Sequence, residues 1–166
     1  KALPTGIDHG TVTAVIGAHR FEITTLRKDV ATDGRHAEVE YTDNWKEDAA
    51  RRDFTMNALY LSPEGELFDY FGGEKDAREG RVVFIGDAKQ RIQEDYLRTL
   101  RFFRFFAHYG KTTPDAKALS ACSALASHIS ELSPERIQHE LLKLLLAPKS
   151  YHAASFMQET GVFAAV

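Results

Sequence analysis

The hydrophobic period of this chain changes once, near Gly86, and that change limits the folds open to it. Before it, apolar residues alternate in short runs between turn residues. Residues 11–17 (TVTAVIG) and 20–26 (RFEITTL) are rich in β-branched side chains and meet at Gly17-Ala18-His19, which predicts a β-hairpin. Residues 56–61 (MNALYL) and 66–70 (ELFDY) flank Ser62-Pro63-Glu64-Gly65, a second hairpin signal. Residues 81–85 (RVVFI) read as one more strand. Short helices are expected over 46–54, with Asn44 as cap, and after Gly72-Gly73. Residues 27–47 are polar, with turn signals at Asp33-Gly34 and Asp43-Asn44, and read as a long loop.

After Gly86 the period becomes helical. Residues 87–109 hold no Gly or Pro and space Ile92, Tyr96, Leu97, Leu100 and Phe103 as one helix face, stopping at Gly110. Further helices are expected over 114–128, over 133–146 (Ser133 as cap, Pro134 at the first position) and over 150–159. An α+β fold follows, with a sheet-bearing part over 1–86 and an all-helical part over 87–166.

Composition closes off some classes. Hydrophobic residues make up 43% of the 166, which supports a packed core and argues against disorder. No apolar run reaches the roughly 18 residues of a membrane span, and no signal peptide opens the sequence. Cys122 is the only cysteine, so no internal disulfide is possible and a reducing cytoplasm is the expected location. The net charge of −3 does not mark a nucleic-acid binder, yet the arginines cluster at 51–52 and at 91, 98, 101 and 104. The seven histidines are scattered, none at metal-ligand spacing.

Four segments carry chemistry. In Arg51-Arg52-Asp53-Phe54-Thr55-Met56-Asn57-Ala58, paired guanidiniums suit phosphate oxygens, while Asp53 and Asn57 suit a sugar hydroxyl or the orienting of an arginine. A surface salt-bridge cluster fits the same letters. In Glu94-Asp95-Tyr96-Leu97-Arg98, Asp95 and Arg98 are three apart and would share a helix face, as would Arg98 with Arg101 and Arg101 with Arg104. In such a pair the carboxylate accepts from an exocyclic amine and the guanidinium donates to a ring nitrogen or carbonyl, the edge that cytosine and adenine share and guanine and uracil invert. An intrahelical ion pair is the plainer reading. In Asp69-Tyr70-Phe71-Gly72-Gly73 with Asp76, the glycines permit positive φ and close backbone approach, and a plain turn fits nearly as well. In Phe21-Glu22-Ile23-Thr24, Glu22 is a candidate metal ligand or an exposed strand residue.

Taken in order, these segments resemble the class II RNA nucleotidyltransferases, which comprise CCA-adding enzymes and bacterial poly(A) polymerases. His9-Gly10-Thr11-Val12 with Phe21 to Arg27 looks like the strand pair after that family's catalytic motif. Residues 51–58 are similar to its ribose and triphosphate motif, and Asp69 to Asp76 to the motif joining head and neck. Glu94-Asp95-Tyr96-Leu97-Arg98 matches the EDxxR segment that selects the incoming base. Ser133-Pro134-Glu135-Arg136 with Glu140 resembles a helix-supporting motif. The combination of RRDFTxNA and EDxxR about 40 residues later outweighs the plainer readings of both segments.

The resemblance implies a partial mixed-sheet nucleotidyltransferase head over 1–86 and a helical neck over 87–166. It implies nucleotide binding by Arg51, Arg52, Asp53, Asn57, Asp95, Arg98, Arg101 and Arg104, with ATP and CTP as substrates, Mg²⁺ as cofactor and a tRNA or other RNA 3′ end as partner. Residues 28–47 would be the loop that helps the site shift between C and A. The family's Asp-x-Asp metal pair finds no match in residues 1–8. Of the metal carboxylates only Glu22 is matched, so these 166 residues alone are expected not to catalyse transfer. CCA addition and poly(A) addition share the motifs; CCA addition is favoured as the more widespread role. A purely nucleotide-binding piece and a structural module are the competing readings.

Overall fold

The computed structural model describes residues 1–7, 10–32 and 37–166, with side chains described outside 29–39. The architecture is α+β, and every pairing between the described strands is antiparallel. Strands β1 (Ala2–Gly6), β2 (Thr11–Ile16) and β3 (His19–Thr24) form a sheet in that order. The expected hairpin is β2–β3, with Gly17 at φ 60° in its turn. β1 lay outside the sequence expectations; Pro4 fits there because an edge position tolerates a missing N–H. His9 and the Asp33-Gly34 turn lie outside the described residues.

The long loop expected over 27–47 contains a hairpin instead, β4 (Arg27–Thr32) and β5 (Ala37–Tyr41). Its polar letters hide the strand period. Pairing rests on the backbone ladder and on cross-strand contacts such as Lys28 with Glu40 at 3.0 Å. Helix α1 (Trp45–Ala50) starts as expected, with Asn44 Oδ1 accepting from the Lys46 and Glu47 N–H groups. A 3₁₀ turn over Thr55–Asn57 leads to the second hairpin, β6 (Leu59–Leu61) with β7 (Leu67–Asp69).

Helix α2 (Gly73–Glu79) follows the paired glycines, and each has a distinct reason. Gly72 takes φ 76°, in the left-handed region. Gly73 lies so close to the 3₁₀ turn that an added Cβ would stand 2.1 Å from the Thr55 carbonyl oxygen. Asp69 accepts from the N–H groups of Gly73 and Glu74 at 2.9 and 3.0 Å. These bonds outweigh the desolvation that would raise the carboxyl, and hold its pKa below the ordinary value.

The strand expected over 81–85 is not formed. A single bridge joins Phe84 to Phe54, because the partner segment curls into the 3₁₀ turn after one residue. The apolar letters are buried all the same: Phe54, Phe84 and Phe102 lie within 4.8–6.4 Å of one another, ring centre to ring centre. This cluster opens the main core, which continues through Ile92, Leu100, Phe103, Cys122, Ile129, Met157 and Val162. Phe102, Phe103 and Phe106 are core residues. Cys122 is fully buried and burial pushes its thiol up to about 12, consistent with a packing role.

The continuous helix expected over 87–109 is two helices, α3 (Ala88–Glu94) and α4 (Leu97–Tyr109). Asp95 between them is extended, at φ −157° and ψ 107°, and its Oδ1 accepts from the Leu97 N–H at 3.1 Å. That side-chain bond offers the backbone an alternative to helix. Helices α5 (Ala116–Ala124), α6 (Pro134–Leu145) and α7 (Ser150–Glu159) complete the chain, with α4 packed on α6 and α7. No described helix is long and apolar enough to cross a membrane.

Candidate functional site

Arg51 and Arg52 leave the end of α1, and one carboxylate holds both. Asp48, a turn earlier and 1% exposed, accepts from Arg51 Nη2 at 2.7 Å and Arg52 Nη2 at 3.0 Å. It also accepts from the Tyr60 hydroxyl at 2.6 Å and the Arg27 N–H at 3.1 Å. Burial alone would raise this carboxyl. The bonds from Tyr60, Arg51, the Arg27 backbone and Arg52 prevail and hold its pKa down at about 2. Burial and the bond to Asp48 push the Tyr60 phenol up to about 12. Arg52 also lies over the Tyr60 ring, 5.1 Å from its centre. Arg51 Nη1 has no acceptor among the described residues, so the fixed fork keeps N–H groups for a ligand.

Asp53 orients rather than offers. Its Oδ1 accepts from Asn57 Nδ2 and its own neighbour's N–H, both at 2.9 Å. Its Oδ2 accepts from Arg101 Nε at 2.7 Å and Nη2 at 2.6 Å. Arg101 thus ties α4 to the segment after α1. Asp76, on α2, takes the Thr55 hydroxyl at 2.6 Å and Arg81 at 2.7 Å, fixing the same segment from behind.

Asp95 and Arg98 do not form the helical pair that their spacing suggested, because the helix is broken at Asp95. Arg98 donates to Glu94 Oε2 at 2.5 Å, to the Arg91 carbonyl at 2.9 Å and to the Arg51 carbonyl at 3.2 Å. Asp95 pairs with Arg136 from α6, whose Nη2 reaches both carboxylate oxygens at 3.1 and 2.9 Å.

A cleft of about 530 Å³ nevertheless brings most of the sequence candidates together. Arg51, Arg52, Asp53 and Asn57 line one side, and Asp95, Leu97, Arg98, Arg101 and Arg136 the other. Five guanidiniums against two carboxylates make it a place for an anion with a hydrogen-bonding head. Arg104 does not line it. That residue pairs with buried Glu140 at 2.5 Å and covers the Phe105 ring. Glu22 is exposed on β3 and is not part of the cleft lining. Among the described residues no three His, Cys, Asp or Glu side chains are grouped to hold a metal ion.

Asp48, buried behind the cleft, and Arg136, in its lining, were not singled out as site residues from the sequence. Asp48 was detectable, since it precedes Arg51 and Arg52 by three and four positions on a helix. Arg136 was read only within the helix-supporting segment, and nothing local tied it to a partner 41 residues away.

The family model described as the poly A polymerase head domain matches residues 1–83, half of the chain. The chain belongs to that family. A second, described as a probable RNA and SrmB-binding site of polymerase A, matches residues 113–166. The mitochondrial CCA tRNA nucleotidyltransferase 1 of Mus musculus is 48% identical over 162 residues, 95% of this chain and 37% of that protein. The CCA-adding enzyme of Bacillus cytotoxicus is 34% identical over 98% of this chain and 41% of its own length. The crystal structure of the Bacillus stearothermophilus CCA-adding enzyme in complex with CTP superposes with a TM-score of 0.87 at 32% identity, over 98% of this chain and 39% of that one. The chain therefore spans about two-fifths of the length of these family members, and the resemblance drawn from its motifs holds.

Proposed function

We propose that this chain forms the nucleotide-selecting part of a template-independent RNA nucleotidyltransferase that adds C and A to tRNA 3′ ends. The observation that carries the reading is the single cleft holding Arg51, Arg52 and Asn57 opposite Asp95 and Arg98. The relatives named as CCA-adding enzymes, one of them bound to CTP, support it. Residues 1–86 act as the head and 87–166 as the neck, with the cleft between them.

In this reading Arg51 and Arg52, held by Asp48, receive the triphosphate. Asn57 serves the ribose, and Asp53 holds Arg101 and Asn57 in place for it. The Asp95 carboxylate accepts from the exocyclic amine of cytosine or adenine. Arg98 donates from Nε, which has no acceptor among the described residues, to the adjacent ring nitrogen or carbonyl. Uracil and guanine present the inverse pattern and leave the carboxylate without a donor, which costs affinity. The family implies Mg²⁺ beside the triphosphate, with Glu22 the one matched carboxylate. Cys122, buried and unpaired, suits a reducing compartment such as the cytoplasm.

Titration of the full-length protein with CTP, ATP, UTP and GTP tests the reading. The first two are expected to bind, the last two at least about tenfold more weakly. Asp95→Ala is expected to erase the preference. Equal binding of all four by the unaltered protein would sink the proposal. Incorporation of labelled CMP into tRNA lacking its CCA end tests the transfer itself.

A further inference from the structure

Asp95 sits in a helix break, and its own backbone supplies one hydrogen bond to its carboxylate, from the Leu97 N–H to Oδ1. One such bond leaves the group free to rotate, since the terminal torsion of an aspartate is broad. The other donor to it among the described residues is Arg136, at 3.1 and 2.9 Å to the two oxygens. Arg136 comes from the first turn of α6, where Pro134 at the first helical position fixes the approach of the chain.

We infer that Arg136 is the positioning residue for base selection: from α6 it locks the plane of the Asp95 carboxylate against which the incoming base is read. The inference rests on the proposed role of Asp95 and adds a residue to it. The two halves of the base template then have separate clamps. Arg98 is held by Glu94 and by the carbonyls of Arg91 and Arg51, all on the α1 and α3 side. Asp95 is held from α6. The angle between acceptor and donor, which decides which base edge fits, is therefore set by how α6 sits relative to α1 and α3. Oδ2 carries one protein bond, to Arg136, and keeps a site for an amine.

Stability does not account for the pair. Its side chains are 41% and 30% exposed, the range in which ion pairs add little to folding. Its geometry is what it supplies, and template reading depends on geometry of this kind.

Arg136→Met, which keeps the apolar stem, and Arg136→Lys in the full-length protein test this. The readouts are dissociation constants for CTP, UTP, ATP, GTP and inorganic tripolyphosphate. The CTP-over-UTP preference is expected to fall about tenfold in Arg136→Met, with partial recovery in Arg136→Lys. UTP and tripolyphosphate, which lose only one of five cleft guanidiniums, are expected to weaken less than CTP does. In an Asp95→Ala background Arg136→Met is expected to change the preference no further. An equal loss for all nucleotides, an undiminished preference, or an effect that persists without the Asp95 carboxylate would each overturn the inference. If Asp95→Ala itself leaves the preference intact, the proposed base-reading role fails first; if Asp95→Ala abolishes it and Arg136→Met does not, only the role of Arg136 falls.

Discussion

The two walls of the cleft are built on opposite principles. On the α1 side, a carboxylate at 1% exposure gathers two guanidiniums, a phenol and a backbone N–H around itself. On the α3–α6 side, a carboxylate at 30% exposure has one guanidinium and one N–H. The first wall is over-determined, and under the proposed function it receives the charged oxygens common to every nucleoside triphosphate. The second is sparsely held and keeps acceptor capacity in hand, as suits a surface that must tell one base from another. Under the proposed function, rigidity falls where recognition is generic and unspent hydrogen-bonding capacity where it is specific.

The sharpest way to break this contrast is Asp48→Ala. It strands two guanidiniums beside a buried void, and removal of one partner of a buried ionic cluster costs about 3–5 kcal/mol. Chemical denaturation is expected to show that loss, and the remaining folded protein to bind CTP, ATP, UTP and GTP all more weakly. A loss confined to CTP and ATP would mean that the first wall reads bases too.

Acid probes the same wall more gently. The folded Asp48 pKa, about 2, lies below its ordinary 3.8. A depressed carboxylate contributes stability that is full above the unfolded value and lost as pH falls through the folded one. Roughly 1–2 kcal/mol, after allowance for screening near the open cleft, is expected to drain away between about pH 4 and pH 2. Urea midpoints across that range check it; Asp48→Asn is expected to flatten the slope.

The walls also differ in how far the sequence revealed them. Arg51, Arg52, Asp53 and Asn57 stand within seven residues, and their cleft positions follow from a short helix with an Asn44 cap. On the second wall Asp95, Arg98 and Arg101 were sequence candidates that line the cleft, Arg136 was not, and the helix expected through Asp95 is broken. Tyr96 and Leu97 continue the helical period of residues 87–109, and the one local mark of the break is Asp95 itself, whose carboxylate takes the Leu97 N–H. What holds Asp95 extended includes a partner 41 residues away. The β4–β5 hairpin was hidden for a related reason: its letters are charged, and pairing rather than period defines it. In both places a contact distant in sequence overrides the local pattern, while the helices starting at Pro134 and Ser150 obey it.

The smallest expected effect is the one that sharpens the comparison most. Asp95→Ala removes a half-exposed ion pair and one N–H acceptor, so the change in unfolding free energy is expected at about 0–1 kcal/mol. The Leu97 N–H it releases lies at the start of α4, where the first turn's N–H groups lack helical partners in any case and water can serve them. Urea unfolding of Asp95→Ala beside Asp48→Ala, followed by the same probe, measures the gap between the walls. A cost for Asp95→Ala near that of Asp48→Ala would mean that the helix break is a folding requirement in its own right. A cost near zero, with the nucleotide preference gone, would mean that the chain keeps α3 and α4 apart for the sake of what Asp95 reads.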